Sequence, residues 1–148
     1  METIAGRAGA KAPRHLWIMG ALCALWSLGN CWQFALISMR EAETMTRFSP
    51  DVIDFMDAYP AWVIVAWAIE VSFALLGALL LLGRSRWAPF AYTLSLVGLA
   101  ANQFYQLATG LPPAWNTWVY WAVNLGGWIL TASLLVYTLR LRRRRVLV

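Results

Sequence analysis

The chain of 148 residues is 61% hydrophobic and 13% charged, with a formal net charge of +5. Soluble domains average about 25% charged residues, and the apolar residues here form long blocks, so the composition excludes an ordinary soluble domain and predicts a one-domain integral membrane protein. The positive charge does not indicate nucleic acid as a partner. Most basic residues lie beside apolar runs, at residues 7–14, 84–86 and 140–145, where they would contact anionic lipid of the bilayer.

The first 38 residues predict a short tail followed by one membrane span. Residues 1–15 are small, basic and without periodicity, and we interpret them as a cytoplasmic tail. No charged residue lies between His15 and Arg40, so residues 16–38 are long enough to cross a membrane as a helix. A cleaved signal peptide is the alternative, but its apolar region would be only about 7–15 residues long.

Residues 39–60 form an acidic connection. Ser49, Pro50 and Asp51 are typical of a helix start, since they offer a capping hydroxyl, a proline at the first helical position and an acid near the positive end of the helix dipole. Helical spacing then puts apolar residues between Val52 and Tyr59 on one face and the aspartates on another. We predict a short amphipathic helix on the outer membrane surface, with a solvated loop as the alternative.

The rest of the chain predicts three more spans and a second tail. The apolar run 61–82 ends at the basic hairpin 83–86, and the charge-free run 87–139 is divided by Gly110–Pro113 into spans 88–109 and 114–139. Residues 140–148 form a basic cytoplasmic tail. The predicted fold is an all-α membrane protein, a four-helix transmembrane up-down-up-down bundle with a short amphipathic outer-surface helix and both termini in the cytoplasm.

Each predicted span carries a polar residue at a similar depth. A carboxylate such as Glu70 inside a membrane span costs about 2.5 kcal/mol or more, and it therefore indicates a function or a partner. Counting from the predicted outer ends puts four polar residues about 10–14 Å deep, one on each span: Asn30, Glu70, Asn102 and Asn124. The predicted ligand-binding residues are these four with their neighbours on the same helix faces, namely Glu70, Asn30, Gln33, Trp67, Asn102, Gln106 and Asn124.

Two interpretations of this polar layer remain open. In the first, the amides hydrogen-bond across the helices and a neutral Glu70 completes a structural network, worth about 0.6 kcal/mol per bond. In the second, the layer lines a cavity that opens outward and admits a small ligand. Tryptophans that flank the layer on three of the four spans, Trp26, Trp67, Trp121 and Trp128, would suit a hydrophobic cation or a flat apolar molecule.

Several short motifs, found in order between residues 25 and 107, carry a resemblance to a known group of proteins. They are Leu25-Trp-Ser-Leu-Gly29 with Gln33, Met45-Thr46, Ser49-Pro50-Asp51, Tyr59-Pro-Ala-Trp62, Ala66-Trp-Ala68, Leu76–Leu82, Arg84-Ser-Arg-Trp-Ala88 and Ser95-Leu96. The pattern resembles small bacterial four-span inner-membrane proteins of unassigned function, some labelled "sugar transporter". The resemblance implies a bacterial inner membrane and this topology. It does not extend to Glu70, because a small residue usually occupies that position in the group.

The sequence thus predicts an inner-membrane small-molecule binder or transport component. The alternative is an accessory or structural subunit of a larger membrane complex, with Trp32, the small residues Ala74, Gly77 and Ala78, and the apolar third helix as contact surfaces. A self-contained homo-oligomer would instead favour the binder. An enzyme is not predicted, because no nucleophile–base pair or metal-ligand cluster is visible, and no cofactor or metal is expected. Cys23 and Cys31 lie about 12 Å apart along one helix, too far for a disulfide.

Overall fold

The computed structural model of the chain describes residues 13–147, and every regular element in that range is an α-helix. The tail predicted over residues 1–15 lies outside the described residues except for its last three. The first span begins two residues earlier than predicted, and the helices 61–82 and 88–109 have the predicted bounds. The six helices are α1 (Arg14–Ser38), α2 (Ala42–Met45), α3 (Pro50–Asp57), α4 (Ala61–Leu82), α5 (Ala88–Thr109) and α6 (Trp118–Arg143).

Three of these helices, α1, α4 and α6, are long and apolar enough to cross a membrane. Helix α5 has the same length as α4 but carries Asn102, Gln103 and Gln106, which lower its hydropathy, and it does not belong to this set. Several of its polar side chains are nonetheless buried within the fold, including Ser95, Asn102 and Gln106. The all-helical class is therefore confirmed, and three helices have the length and composition of membrane spans.

Helix α6 differs from its predicted bounds, 114–139, at both ends. The carbonyl of Pro112 accepts hydrogen bonds from the amides of Trp115 and Asn116, each at 2.9 Å, and this turn delays the helix. The hydroxyl of Thr117 then accepts from the amide of Tyr120 at 3.2 Å and caps the new start. At the other end the helix continues to Arg143, where basic side chains suit the negative end of the helix dipole. The predicted tail 140–148 is thus partly helical.

The four long helices pack in sequence order and alternate in direction. Helix α1 packs on α4, α4 on α5 and α5 on α6, whereas α1 and α6 lack an interface of similar extent. One apolar cluster joins the start of α1, the end of α4, the start of α5 and the end of α6 through Leu16, Leu81, Ala88 and Leu141. We call this end the arginine end, after the basic residues 84–86 and 140–145, and the opposite end the α3 end.

Helices α4 and α5 form the most extensive helix–helix contact among the described residues. Gly98 of α5 lies so near α4 that a Cβ atom built there would be 2.6 Å from the carbonyl oxygen of Ala66 and 2.7 Å from the amide nitrogen of Glu70. The hydroxyl of Ser95, one turn away, donates a hydrogen bond of 2.9 Å to the carbonyl oxygen of Glu70. These contacts hold the Glu70 backbone directly against α5.

The half of the fold nearer the arginine end is filled by a second cluster around Tyr92. This side chain is almost fully buried and packs with Cys23, Ala78 and Leu134. Gly77 gives it room, because a Cβ atom there would lie 3.0 Å from the ring. Two of the three small residues predicted as a partner surface, Gly77 and Ala78, are buried within the chain beside this ring.

At the α3 end, two short helices connect α1 to α4. Helix α3 begins at Pro50 and is amphipathic as predicted, with Val52 and Met56 buried and the aspartates Asp51, Asp54 and Asp57 exposed. The predicted capping bond from Ser49 is absent. Helix α2 was not predicted; the carboxylate of Glu41 caps it by accepting from the amides of Glu43 at 3.1 Å and Thr44 at 2.6 Å. Hydrogen bonds from Thr44 and Glu43 hold the pKa of Glu41 below its usual range.

Candidate functional site

All seven predicted ligand-binding residues line one cavity of about 380 Å³ in the half of the fold nearer the α3 end. Helix α1 contributes Asn30 and Gln33, α4 contributes Trp67 and Glu70, α5 contributes Asn102 and Gln106, and α6 contributes Asn124. The equal-depth argument from the sequence therefore identifies side chains that surround a single space. Their role in binding a ligand stays a prediction.

Helices α4 and α5 supply the most polar wall. The side chain of Asn102 lies beside the carboxyl group of Glu70. Even so, three buried polar atoms on this wall have no hydrogen-bond partner among the described residues: Glu70 Oε2, Asn102 Oδ1 and Gln103 Nε2. Leaving one such group unpaired typically costs about 1–3 kcal/mol. Unpaired groups of this kind would destabilise the fold if the wall served only for packing. They are suited to pairing with a polar group inside the cavity.

The amides form only part of the cross-helix network that the structural interpretation requires. Gln106 Oε1 accepts a hydrogen bond of 2.8 Å from the hydroxyl of Tyr120, which links α5 to α6. Asn30 Nδ2, in contrast, donates to the carbonyl of Trp26 on its own helix at 3.1 Å. The layer therefore joins helices at some points and surrounds open space at others.

The helix α6 wall differs from the sequence prediction. Val123, Asn124 and Gly127 line the cavity, while Trp121 and Trp128 do not. Trp121 Nε1 instead donates a hydrogen bond of 2.9 Å to Asn116 Oδ1 in the preceding turn, which holds this indole at the end of the helix. On α1, Trp26 lines the cavity as predicted.

Aromatic residues at the α3 end cover the cavity, and the sequence argument missed most of them. The cavity is lined there by four aromatic residues, Phe48, Tyr59, Trp115 and Tyr120, together with Met56. The ring of Trp115 is stacked on Tyr120, with centroids 5.8 Å apart, and meets Phe48 edge-on at 6.0 Å. The apolar face of the predicted amphipathic helix was the available signal for this cover. Burial raises the pKa of the Tyr59 phenol above its usual range, so its hydroxyl stays a neutral hydrogen-bond donor.

The ionisable side chains that line the cavity include an acid but no base. Glu70 is the single carboxyl group among the lining residues, and none of them is lysine, arginine or histidine. Glu70 also borders a smaller cavity of about 80 Å³ on the side towards the arginine end, beyond which the Tyr92 cluster fills the interior. The lining of the larger cavity is thus mostly apolar and partly aromatic, with several amides, one carboxyl group and no basic group, and the Tyr92 cluster lies towards the arginine end.

The described part of the chain contains no group of three or more His, Cys, Asp or Glu side chains that could hold a metal ion. The hydroxyl of Ser95 donates a hydrogen bond to the Glu70 carbonyl, and the thiol of Cys31 donates one of 3.3 Å to the carbonyl of Val71. The cavity therefore presents hydrogen-bonding groups, aromatic faces and one carboxyl group, all of which can contact a bound molecule.

These features define an all-helical protein with three helices able to cross a membrane and a covered polar cavity between its helices. Comparison of the chain with protein-family models, with curated proteins and with solved structures found no match.

Proposed function

We propose that the protein is a multi-pass protein of a bacterial inner membrane that binds a small molecule in this cavity, as a binding protein or a transport component. In this proposal α5 is the fourth transmembrane helix of an up-down-up-down bundle. Its polar side chains are compatible with a membrane because they lie inside the fold, where they avoid lipid. The bacterial membrane is an expectation from the motif resemblance.

Charge distribution supports an orientation with the arginine end in the cytoplasm. Basic residues are concentrated at that end, and the aspartates of α3 lie at the other. Exposed tryptophans occur near both ends, Trp17 and Trp87 at the arginine end and Trp62 and Trp118 at the α3 end, as in the aromatic belts of membrane proteins. Both termini would then be cytoplasmic, and the short helix α3 would lie at the outer surface.

Cysteine labelling tests this orientation. We expect a Thr46→Cys variant to react with a membrane-impermeant maleimide in intact cells, and a Ser85→Cys variant to react only after permeabilisation. Both would be made in a chain whose Cys23 and Cys31 are replaced by alanine. Thr46 is exposed near the α3 end and Ser85 lies in the arginine-end hairpin. Labelling of both variants, or of Ser85→Cys alone, in intact cells would contradict the proposed topology.

The observation that carries the functional proposal is the cavity, with unpaired buried polar atoms on one wall and aromatic residues over it. Ligand sites are typically concave, mostly apolar and supplied with a few convergent polar groups, and their volumes are about 300–1,000 Å³. The filled interior towards the arginine end favours binding from one side. Transport would require that interior to open.

Filling the cavity should abolish binding without unfolding the protein. Gly127 lines the cavity, and a Cβ atom built there has open space around it. We expect Gly127→Phe to weaken binding of small aromatic probes, 2-phenylethylamine and 2-phenylethanol, by at least about tenfold, because the ring takes the probe's place. Isothermal titration of the purified protein would measure affinity and a stoichiometry of one per chain.

The matched control is Gly126→Phe. Gly126 is the adjacent residue, has equally open surroundings and does not line the cavity, so this variant should bind as the wild type does. If the wild-type protein bound neither of the two probes, the small-molecule proposal would be overturned. If a larger membrane protein also co-purified at fixed stoichiometry, the accessory-subunit alternative would replace it.

A further inference from the structure

We propose that the ligand is a protonated amine with a flat apolar body, bound with its ammonium group between Glu70 and Asn102. This inference rests on the proposed function, since it names the class of molecule that the cavity accepts. Three independent features support it: the charge of the lining, the hydrogen-bonding type of its unpaired atoms and the arrangement of its rings.

The charge of the lining selects against anions. A single carboxyl group, Glu70, faces the cavity with no basic side chain among the lining residues to balance it. Arg40 lines a separate small cavity and forms an ion pair with Asp57. An incoming cation would therefore meet a carboxylate without a protein counter-ion. An anion would meet a carboxylate and six aromatic rings.

Two of the three unpaired atoms on the α4–α5 wall are acceptors and select a donor, whereas the third, Gln103 Nε2, is itself a donor. Glu70 Oε2 and Asn102 Oδ1 are both buried acceptors without a partner among the described residues, and their side chains lie next to each other. Once the two side chains rotate towards the cavity, an ammonium group with two or three N–H donors can satisfy both acceptors at once. A quaternary ammonium has no donor, and a hydroxyl has one, so both would leave at least one acceptor unpaired. Hydrogen bonds that involve a charged group are also the stronger kind.

The rings favour a flat apolar body beside that ammonium group. Trp67 lies one turn from Glu70 on α4, and its orientation is fixed by Phe34, whose ring it meets edge-on with centroids 4.9 Å apart. Across the cavity, Trp115 is held in its stack on Tyr120. Aromatic faces attract cations and pack against flat molecules. A molecule of the size of 2-phenylethylamine places both groups within a cavity of about 380 Å³.

Isothermal titration of the purified full-length protein with three probes tests the inference. At pH 7, 2-phenylethylamine is a primary ammonium ion, 2-phenylethanol is its neutral analogue with one donor, and 2-phenylethyltrimethylammonium is a cation without donors. We expect the primary ammonium to bind about tenfold more tightly than either of the others, because only it supplies charge and several donors together. This comparison uses the wild-type protein and needs no variant.

The Glu70→Gln variant should reduce the preference for the ammonium over the alcohol to less than about threefold, while binding of the alcohol changes little. The control is Asp54→Asn, which removes an exposed carboxylate of α3 outside the cavity lining and should keep the full preference. Equal binding of the alcohol and the ammonium by the wild type, or an unchanged preference in Glu70→Gln, would overturn the inference and leave the small-molecule proposal intact. Binding of none of the three probes would overturn both.

Discussion

Replacing Gly98 with alanine is expected to destabilise the protein by about 1–3 kcal/mol, and Gly98→Val by more. The added methyl group would lie 2.6 Å from the carbonyl oxygen of Ala66 and 2.7 Å from the amide nitrogen of Glu70. These are backbone atoms of α4, which cannot rotate away as a side-chain tip can. The two helices must therefore separate, and the Ser95–Glu70 hydrogen bond and the polar wall of the cavity would separate with them.

The control for this prediction is Gly126→Ala on α6, where a Cβ atom has no neighbour within 4 Å. This change should leave stability unchanged or raise it by up to about 1 kcal/mol, because alanine favours helix more than glycine does. Reversible unfolding of both variants in a detergent–denaturant titration measures the difference. Equal stability of the two variants would show that α4 and α5 are not in this close contact.

Periodicity and charge patterning allowed much of the helical framework to be predicted. Pro60 before α4, the hairpin after Leu82 and the glycine–proline segment after Thr109 are strong local signals, and the bounds of α4 and α5 agree with them. The polar layer could also be predicted from the sequence, because residues at equal depth on neighbouring helices lie near one another. This argument groups Glu70 with Asn102, and both line the same cavity.

Features that depend on contact between distant segments could not be predicted in the same way. Gly98 looks like any glycine in an apolar helix, and only the position of Ala66 on α4 shows why a side chain is excluded there. The cover over the cavity depends on Trp115 meeting Phe48 and Tyr120, and nothing in their spacing along the chain indicates that contact. The wall of α6 was predicted with Trp121 and Trp128 because helical phase alone cannot show which residues of a stripe face inward.

Tyr92 illustrates the same limit and leads to the second large effect. Its aromatic ring is 1% exposed and fills the interior between Gly77, Cys23 and Leu134, so it closes the fold on the arginine side of Glu70. Its hydroxyl is buried without a hydrogen-bond partner in the described residues. The ring and the hydroxyl should therefore make opposite contributions to stability.

Tyr92→Ala is expected to lower the free energy of unfolding by about 3–5 kcal/mol, because it removes a large buried ring that its neighbours cannot fully replace. Tyr92→Phe keeps the ring and removes an unpaired polar group, so its stability should equal or exceed that of the wild type. The same detergent–denaturant titration measures both variants. A loss of more than about 1 kcal/mol in Tyr92→Phe would show that the hydroxyl has a partner and contradict this account.

Because Tyr92 also fills the path from Glu70 to the arginine end, Tyr92→Ala should enlarge the interior below the carboxyl group. If the cavity is one stage of a transport route, this is the variant in which leakage of the bound molecule through the membrane should first be measurable.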